Sequence, residues 1–203
     1  MEASAPELPQ RFLKSWTAEP ATRDEGHWTE GGEGWQAWNG KSAEREFVDF
    51  AGALVALLRP RLVIETGVGQ GYATRRLASA LPHGASLLGF ESDPAFRGAL
   101  SQLSFFDGVR VRLSERKGPT STDVRSADLL VLDSTTGQRI REIDLWLEVG
   151  RSGSFALVHD VSPGHPDGSI HRRLAAHIAA VLPEEAAGVL LPNPRGGWLA
   201  CKA

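Results

Sequence analysis

The run Leu62-Val63-Ile64-Glu65-Thr66-Gly67-Val68-Gly69-Gln70-Gly71-Tyr72 decides the reading of this chain. A short β-branched apolar segment stops at an acid, three glycines alternate, and a helical pattern opens at Ala73-Thr74-Arg75-Arg76-Leu77-Ala78. Glycine has no Cβ, so backbone at such a turn can come close to a ligand. The helix behind it aims free N–H groups and the positive end of its dipole at the same place. Strand, glycine turn and helix in this order predict a cradle for a nucleotide-type ligand.

Upstream, Ser42 is the expected N-cap of a helix with Glu44 and Glu46 in its first turn, and Phe47, Phe50, Leu54, Leu57 and Leu58 recur at helical spacing. Downstream, strands and helices alternate: strands at Ser86 to Phe90, Val109 to Leu113, Asp128 to Leu132 and Ser154 to Val158, and helices at Pro94 to Leu103, Ile140 to Val149 and Ile170 to Leu182. Such alternation predicts a parallel sheet covered by helices on both faces. The rhythm breaks at the end, where Gly188 to Leu191 and Trp198 to Cys201 flank a segment with no room for a helix, so those two strands must be antiparallel. The expected fold is therefore α/β: a Rossmann-like, doubly wound, mostly parallel seven-stranded sheet ending in an antiparallel hairpin.

Residues 1–40 differ from the rest, with four of the six tryptophans (Trp16, Trp28, Trp35, Trp38) set among Gly, Glu and Pro. They form an N-terminal extension to a domain at 41–203, either a lid or substrate wall made flexible by Gly31-Gly32-Glu33-Gly34 or a loop fastened to the domain by its tryptophans. With 22 basic and 25 acidic residues and a net charge of −3, nothing calls for a nucleic-acid partner. The longest apolar stretch, Ala51 to Leu58, is too short to span a membrane. The single cysteine, Cys201, excludes an intrachain disulfide and a cysteine-based zinc site, and the first residues lack the regions of a signal peptide. Cytoplasmic localisation is expected, with a second copy of the chain as a candidate partner.

Glu91 follows the second core strand, 20 residues past Gly71, where an acid can accept hydrogen bonds from both ribose hydroxyls of a nucleoside. A dinucleotide fingerprint reads G-x-G-x-x-G, whereas here Tyr72 stands in place of the third glycine. A pyrophosphate also sits poorly beside Glu65, which suits an amine or a sulfonium. The ordered set Glu65-Thr-Gly67-Val-Gly69-Gln-Gly71, Gly89-Phe-Glu91-Ser-Asp93-Pro, Asp128-Leu-Leu-Val-Leu-Asp133 and Gly153-Ser-Phe-Ala-Leu-Val-His159-Asp160 resembles class I S-adenosylmethionine-dependent methyltransferases, nearest the small-molecule O-methyltransferase branch. That resemblance covers roughly Ser42 to Ala203. It implies that Glu65, Gly67 and Gly69 line the methionine end of S-adenosylmethionine, that Glu91 holds the ribose, that Ser114 and Glu115 meet the adenine, and that Gly71 and Asp133 also belong to the cofactor site.

In an open α/β sheet, ligands sit beyond the carboxyl ends of the strands, and Asp133, His159 and Asp160 lie at two of those ends. Methyl transfer needs donor and acceptor aligned and the acceptor relieved of a proton. Two arrangements fit these residues. Asp133 and Asp160 can hold a divalent cation such as Mg²⁺, as the resemblance to metal-dependent O-methyltransferases implies; this chain departs from that pattern with Val161 after the second acid and Ser134-Thr135-Thr136 after the first. Alternatively His159 or His165 is the general base. Against both stands a structural reading in which Asp133 caps the helix near Thr135 and His159 is a satisfied strand-end histidine. The expected activity is methyl transfer to an oxygen, less readily a nitrogen, of a small molecule. A non-catalytic S-adenosylmethionine-binding scaffold and a nicotinamide-dependent oxidoreductase are the alternatives.

Overall fold

The computed structural model describes residues 27–28, 36–37, 42–96, 108–162, 169–181, 186–191 and 195–203. Within the N-terminal segment, backbone pairing joins β1 (His27–Trp28) to β2 (Gln36–Ala37) in an antiparallel ladder. Trp16, Trp35, Trp38 and the glycine run 31–34 lie outside the described residues, as does His165.

The domain is built on seven strands: β3 (Leu62–Thr66), β4 (Ser86–Phe90), β5 (Arg110–Ser114), β6 (Leu129–Leu132), β7 (Phe155–His159), β8 (Ala186–Leu191) and β9 (Gly197–Lys202). Their order across the sheet is β5-β4-β3-β6-β7-β9-β8. The first five pair in parallel, with Val63 opposite both Leu87 and Leu129, and β9 runs antiparallel between β7 and β8. The expected doubly wound sheet with a terminal hairpin is thus present. Chain order reverses between β3 and β6, and a crevice opens outside the carboxyl ends of the strands at such a point.

Central strands covered on both faces read as continuous apolar runs, and successive side chains alternate between two cores. Val63, Leu87, Leu129, Val131 and Leu157 pack against α1 (Arg45–Leu58) and α2 (Tyr72–Ala80) through Phe47, Ala51, Val55 and Leu77. Ile64, Leu130, Leu132, Ala156 and Val158 face the other way, toward α4 (Thr136–Val149) and α5 (Ser169–Val181), where Ile143, Trp146, Leu174 and Ile178 meet them. The Trp146 indole N–H donates to the Ser154 hydroxyl at 3.0 Å, so the largest buried side chain on that face keeps its polar atom satisfied.

Four local expectations change. Asp128 precedes β6 rather than opening it, because its carboxylate accepts from the Arg61 and Leu62 backbone N–H groups at 2.6 and 2.9 Å and pins the entry to β3. The chain from Ser121 to Ser126 forms a short helix, α3, behind a capping box in which Thr120 and Asp123 exchange side-chain and backbone hydrogen bonds. Helix α1 begins at Arg45 with Glu44, not Ser42, at its N-cap, and no side chain caps it. Of the helix expected from Pro94, a 3₁₀ turn spans Pro94–Phe96, and residues 97–103 lie outside the described residues.

Candidate active site

The turn after β3 is shaped by its glycines. Gly67 has φ +74°, and a Cβ there would stand 2.2 Å from the Asp133 carbonyl oxygen. The constraint at Gly67 therefore comes from the backbone leaving β6 rather than from a ligand. Gly69 also has a positive φ of +54°, but a Cβ there would meet nothing within 4 Å. The turn is open on that side. The Gly69 N–H donates to one carboxylate oxygen of Glu91 at 2.8 Å, and the Asp93 N–H donates to the other at 2.7 Å. Glu91 is thereby fixed across the turn, at the end of the neighbouring strand.

A cleft of about 1400 Å³ lies here, and Gly67, Gly69, Glu91 and Asp133 all line it together with Tyr72 and Phe96. Ser114 and Glu115 do not. Ser114 is held beside the cleft, its hydroxyl accepting from the Arg116 Nε at 3.2 Å, while Lys117 lines the cleft a few residues further on. The adenine contact expected at Ser114 and Glu115 is therefore not on the cleft wall: Ser114 closes β5 beside the cleft, and its hydroxyl is engaged by Arg116.

Glu65 sits behind the glycine turn, 2% exposed, and its Oε2 has no hydrogen-bond partner. Burial pushes its pKa up to about 8, and the nearby charges of Asp133 and Glu91 add to the rise. Such a carboxyl gains from a cation brought close to it.

The second half of the site is an ionic cluster. The His159 ring is fully buried, with Nδ1 2.9 Å from Asp133 Oδ1 and Nε2 2.5 Å from Glu44 Oε2. Phe47 of α1 covers the ring at a centroid distance of 4.3 Å. Burial alone would lower the His159 pKa, but the charges of Asp133, Asp160 and Glu44 outweigh it and hold the ring protonated, up to about 10. Asp160 is buried next door with its backbone at φ +61°. Burial pushes its pKa up, and the charges of His159, Arg139, Arg195 and His171 overcome that and hold it far below the usual carboxylate range.

This geometry corrects two expectations. His159 does not line the cleft, and a protonated ring has no lone pair to take a proton, so it is not placed as a general base. Asp133 does not cap α4: its carboxylate is turned to His159, and Thr135 is the N-cap residue. Ligand atoms of Asp133, His159 and Asp160 lie within 4.8 Å of one another. Yet Asp160 Oδ2 accepts from Arg139 Nη2 at 3.0 Å, and its Oδ1 is 2.7 Å from Arg195 Nε. Guanidinium groups cover both oxygens, and the donor set does not fit Mg²⁺.

Three members of this cluster, Glu44, Arg139 and Arg195, carry no site role in the sequence pattern, which places Glu44 only in the first turn of a helix. Arg139 had a signal: it falls with Glu142, Ile143 and Trp146 at i, i+3, i+4 and i+7, so two charges sit on the apolar stripe of α4. Arg195 carries no such pattern.

Opposed charges and buried carboxyls set the pH response of stability. Glu65 and His159 both bind more protons folded than unfolded, Glu65 between pH 4.5 and about 8 and His159 between 6.5 and about 10. Unfolding free energy therefore falls as pH rises through both windows. Thermal melts are expected to show a Tm declining from slightly acid to alkaline pH, with Glu65→Gln flattening the lower part of the decline. A Tm that rises across that range would contradict the assignment of both groups.

A methyltransferase-domain family model matches residues 64–161, from β3 to the residue after Asp160. The chain is 31% identical over 143 residues to catechol O-methyltransferase of Mus musculus, an alignment covering 64% of this chain and 53% of the mouse protein. The chain thus spans about half the length of the curated relatives it matches. In fold it is similar to the O-methyltransferase TomG of Streptomyces achromogenes, solved in complex with SAM, with a TM-score of 0.59 and 19% identity over 80% of this chain and 82% of that one. It is likewise similar to the SAH-bound methyltransferase PaMTH1 of Podospora anserina, with a TM-score of 0.63 and 15% identity over 98% and 91% of the two chains.

Proposed function

We propose that this chain, a class I S-adenosylmethionine-dependent O-methyltransferase-like protein, binds S-adenosylmethionine in the cleft and moves its methyl group to an oxygen of a small-molecule acceptor. One observation carries the reading: Glu91, the open Gly69 turn and Asp133 all face one space beyond the strand ends. At about 1400 Å³ that space exceeds the ~300–1000 Å³ usual for a single drug-sized ligand, which leaves room for donor and acceptor together.

Each role follows from chemistry at the residue. A carboxylate offers about four lone-pair directions, and Glu91 uses one on each oxygen for a backbone N–H. The remainder suit two vicinal ribose hydroxyls. Glu65, behind the turn, and the Gly67–Gly69 turn suit a cationic methionine moiety, whose positive charge would favour the ionised form of that buried carboxyl. When S-adenosylmethionine is bound it supplies the electrophilic methyl. Asp133, the member of the ionic cluster that lines the cleft, would accept the hydroxyl proton of the acceptor, whose oxygen would then take the methyl group. His159 and Glu44 act behind it as positioning residues. The hydroxyl class of acceptor is supported by the catechol O-methyltransferase relative. No helix among the described residues is long and apolar enough to cross a membrane, and with a lone cysteine we place the protein in the cytoplasm.

Calorimetric titration with S-adenosylmethionine, with NADH as control, tests the reading; saturable binding of the methyl donor alone is expected. Glu91→Ala is expected to weaken that binding by about 10-fold or more, since hydrogen bonds to a charged group are worth ~1.5–3 kcal/mol. Saturable NADH binding, or an unchanged dissociation constant in Glu91→Ala, would count against it.

A further inference from the structure

We propose that Arg139 is a resident cation of this site: its guanidinium holds Asp133 and Asp160 where a divalent metal would have to bridge them, so the protein uses no Mg²⁺. The proposal rests on the methyl-transfer reading for its meaning, though not for its test.

Arg139 is 4% exposed and held on three sides. Its Nη1 donates to the His159 carbonyl oxygen at 2.7 Å and lies 3.6 Å from Asp133 Oδ1, while Nη2 donates to Asp160 Oδ2 at 3.0 Å. The planar fork is thus spread between the two acids, a task for which arginine is preorganised and a point charge is not. One helical turn along α4, Glu142 Oε2 accepts from both the Thr66 and Ser134 hydroxyls at 2.9 Å, which fixes the helix, and Arg139 with it, against the ends of β3 and β6. The other Asp160 oxygen faces Arg195 Nε at 2.7 Å.

Two guanidinium charges therefore already match the two carboxylates in a site where burial makes every charge count. Mg²⁺ needs near-octahedral oxygen ligands at ~2.0–2.1 Å and keeps several of its waters. It could enter only by expelling the Arg139 fork from between the acids, which would leave an unpaired buried guanidinium. Arg139 supplies instead a fixed positive charge that holds the Asp133 carboxylate in one orientation at the cleft wall.

The test uses Mn²⁺ as a paramagnetic probe on the full chain, with and without S-adenosylmethionine. The His159 ring lies 2.9 Å from Asp133 and 3.5 Å from Asp160, so an ion between the acids would bleach its NMR resonances. In the wild type those resonances are expected to survive millimolar Mn²⁺, and turnover to survive a chelator. Arg139→Ala is expected to gain saturable Mn²⁺ binding and to lower kcat about 10-fold or more while donor affinity holds, with Arg139→Lys restoring part of the rate. Bleaching of His159 by stoichiometric Mn²⁺ in the wild type overturns the proposal, and that measurement decides even if Arg139→Ala does not fold. Because the metal titration is read without turnover, a failure of donor binding would sink the methyl-transfer reading separately.

Discussion

Glu44→Ala is expected to destabilise the protein by about 3–5 kcal/mol, the usual cost of removing one partner from a buried ion pair. Glu44 is fully buried, and its carboxylate meets a His159 ring that is equally buried and held protonated. Removing it leaves an imidazolium in low dielectric against the Phe47 ring, with one N–H deprived of its acceptor. In a chain of this size about 4 kcal/mol corresponds to a fall in Tm of roughly 10 °C. Glu44→Gln keeps an acceptor but not the charge, and should lose less than the alanine variant. Differential scanning calorimetry near neutral pH reads all three proteins. A Glu44→Ala loss under about 1 kcal/mol would place the pair among the weakly coupled contacts typical of surfaces.

Asp133→Ala is expected to lower kcat by about 10²-fold or more, the range for removing a positioned acid or base, while the dissociation constant for S-adenosylmethionine changes little. The split follows from position. In the proposed arrangement Glu91 and the glycine turn hold the donor, whereas Asp133 joins the cleft to the buried cluster through His159 and Arg139. Asp133→Asn keeps the shape and loses the proton-accepting carboxylate, so it should resemble the alanine variant in rate but retain more stability. Single-turnover rates beside donor titrations measure the two effects apart. Wild-type turnover in both variants would leave Asp133 as a structural partner of His159 only.

The succession of strands and helices and the glycine turn were legible because they rest on local signals. Period-2 and period-3.6 patterns are written in consecutive residues, and a positive-φ turn announces itself by glycine. The chain Leu62 to Tyr72 was enough to place an open glycine turn after β3, and Glu91 beside it followed from its spacing. The Thr120–Asp123 capping box is an equally local signal, written in four consecutive residues at the start of α3.

The sequence by itself determined a doubly wound sheet with a terminal hairpin, a cradle at Gly67 to Gly71 and an acid at Glu91 beside it. Tertiary structure alone decided what the charged residues at the strand ends do. Glu44 reaches His159 across 115 positions, and Arg195 meets Asp160 from the connection between β8 and β9. Read along the chain, Asp133, His159 and Asp160 looked like a free acid–base or metal set. In space each is already partnered, since buried charges are tolerated only beside opposite ones, and those partners come from elements that no local pattern links.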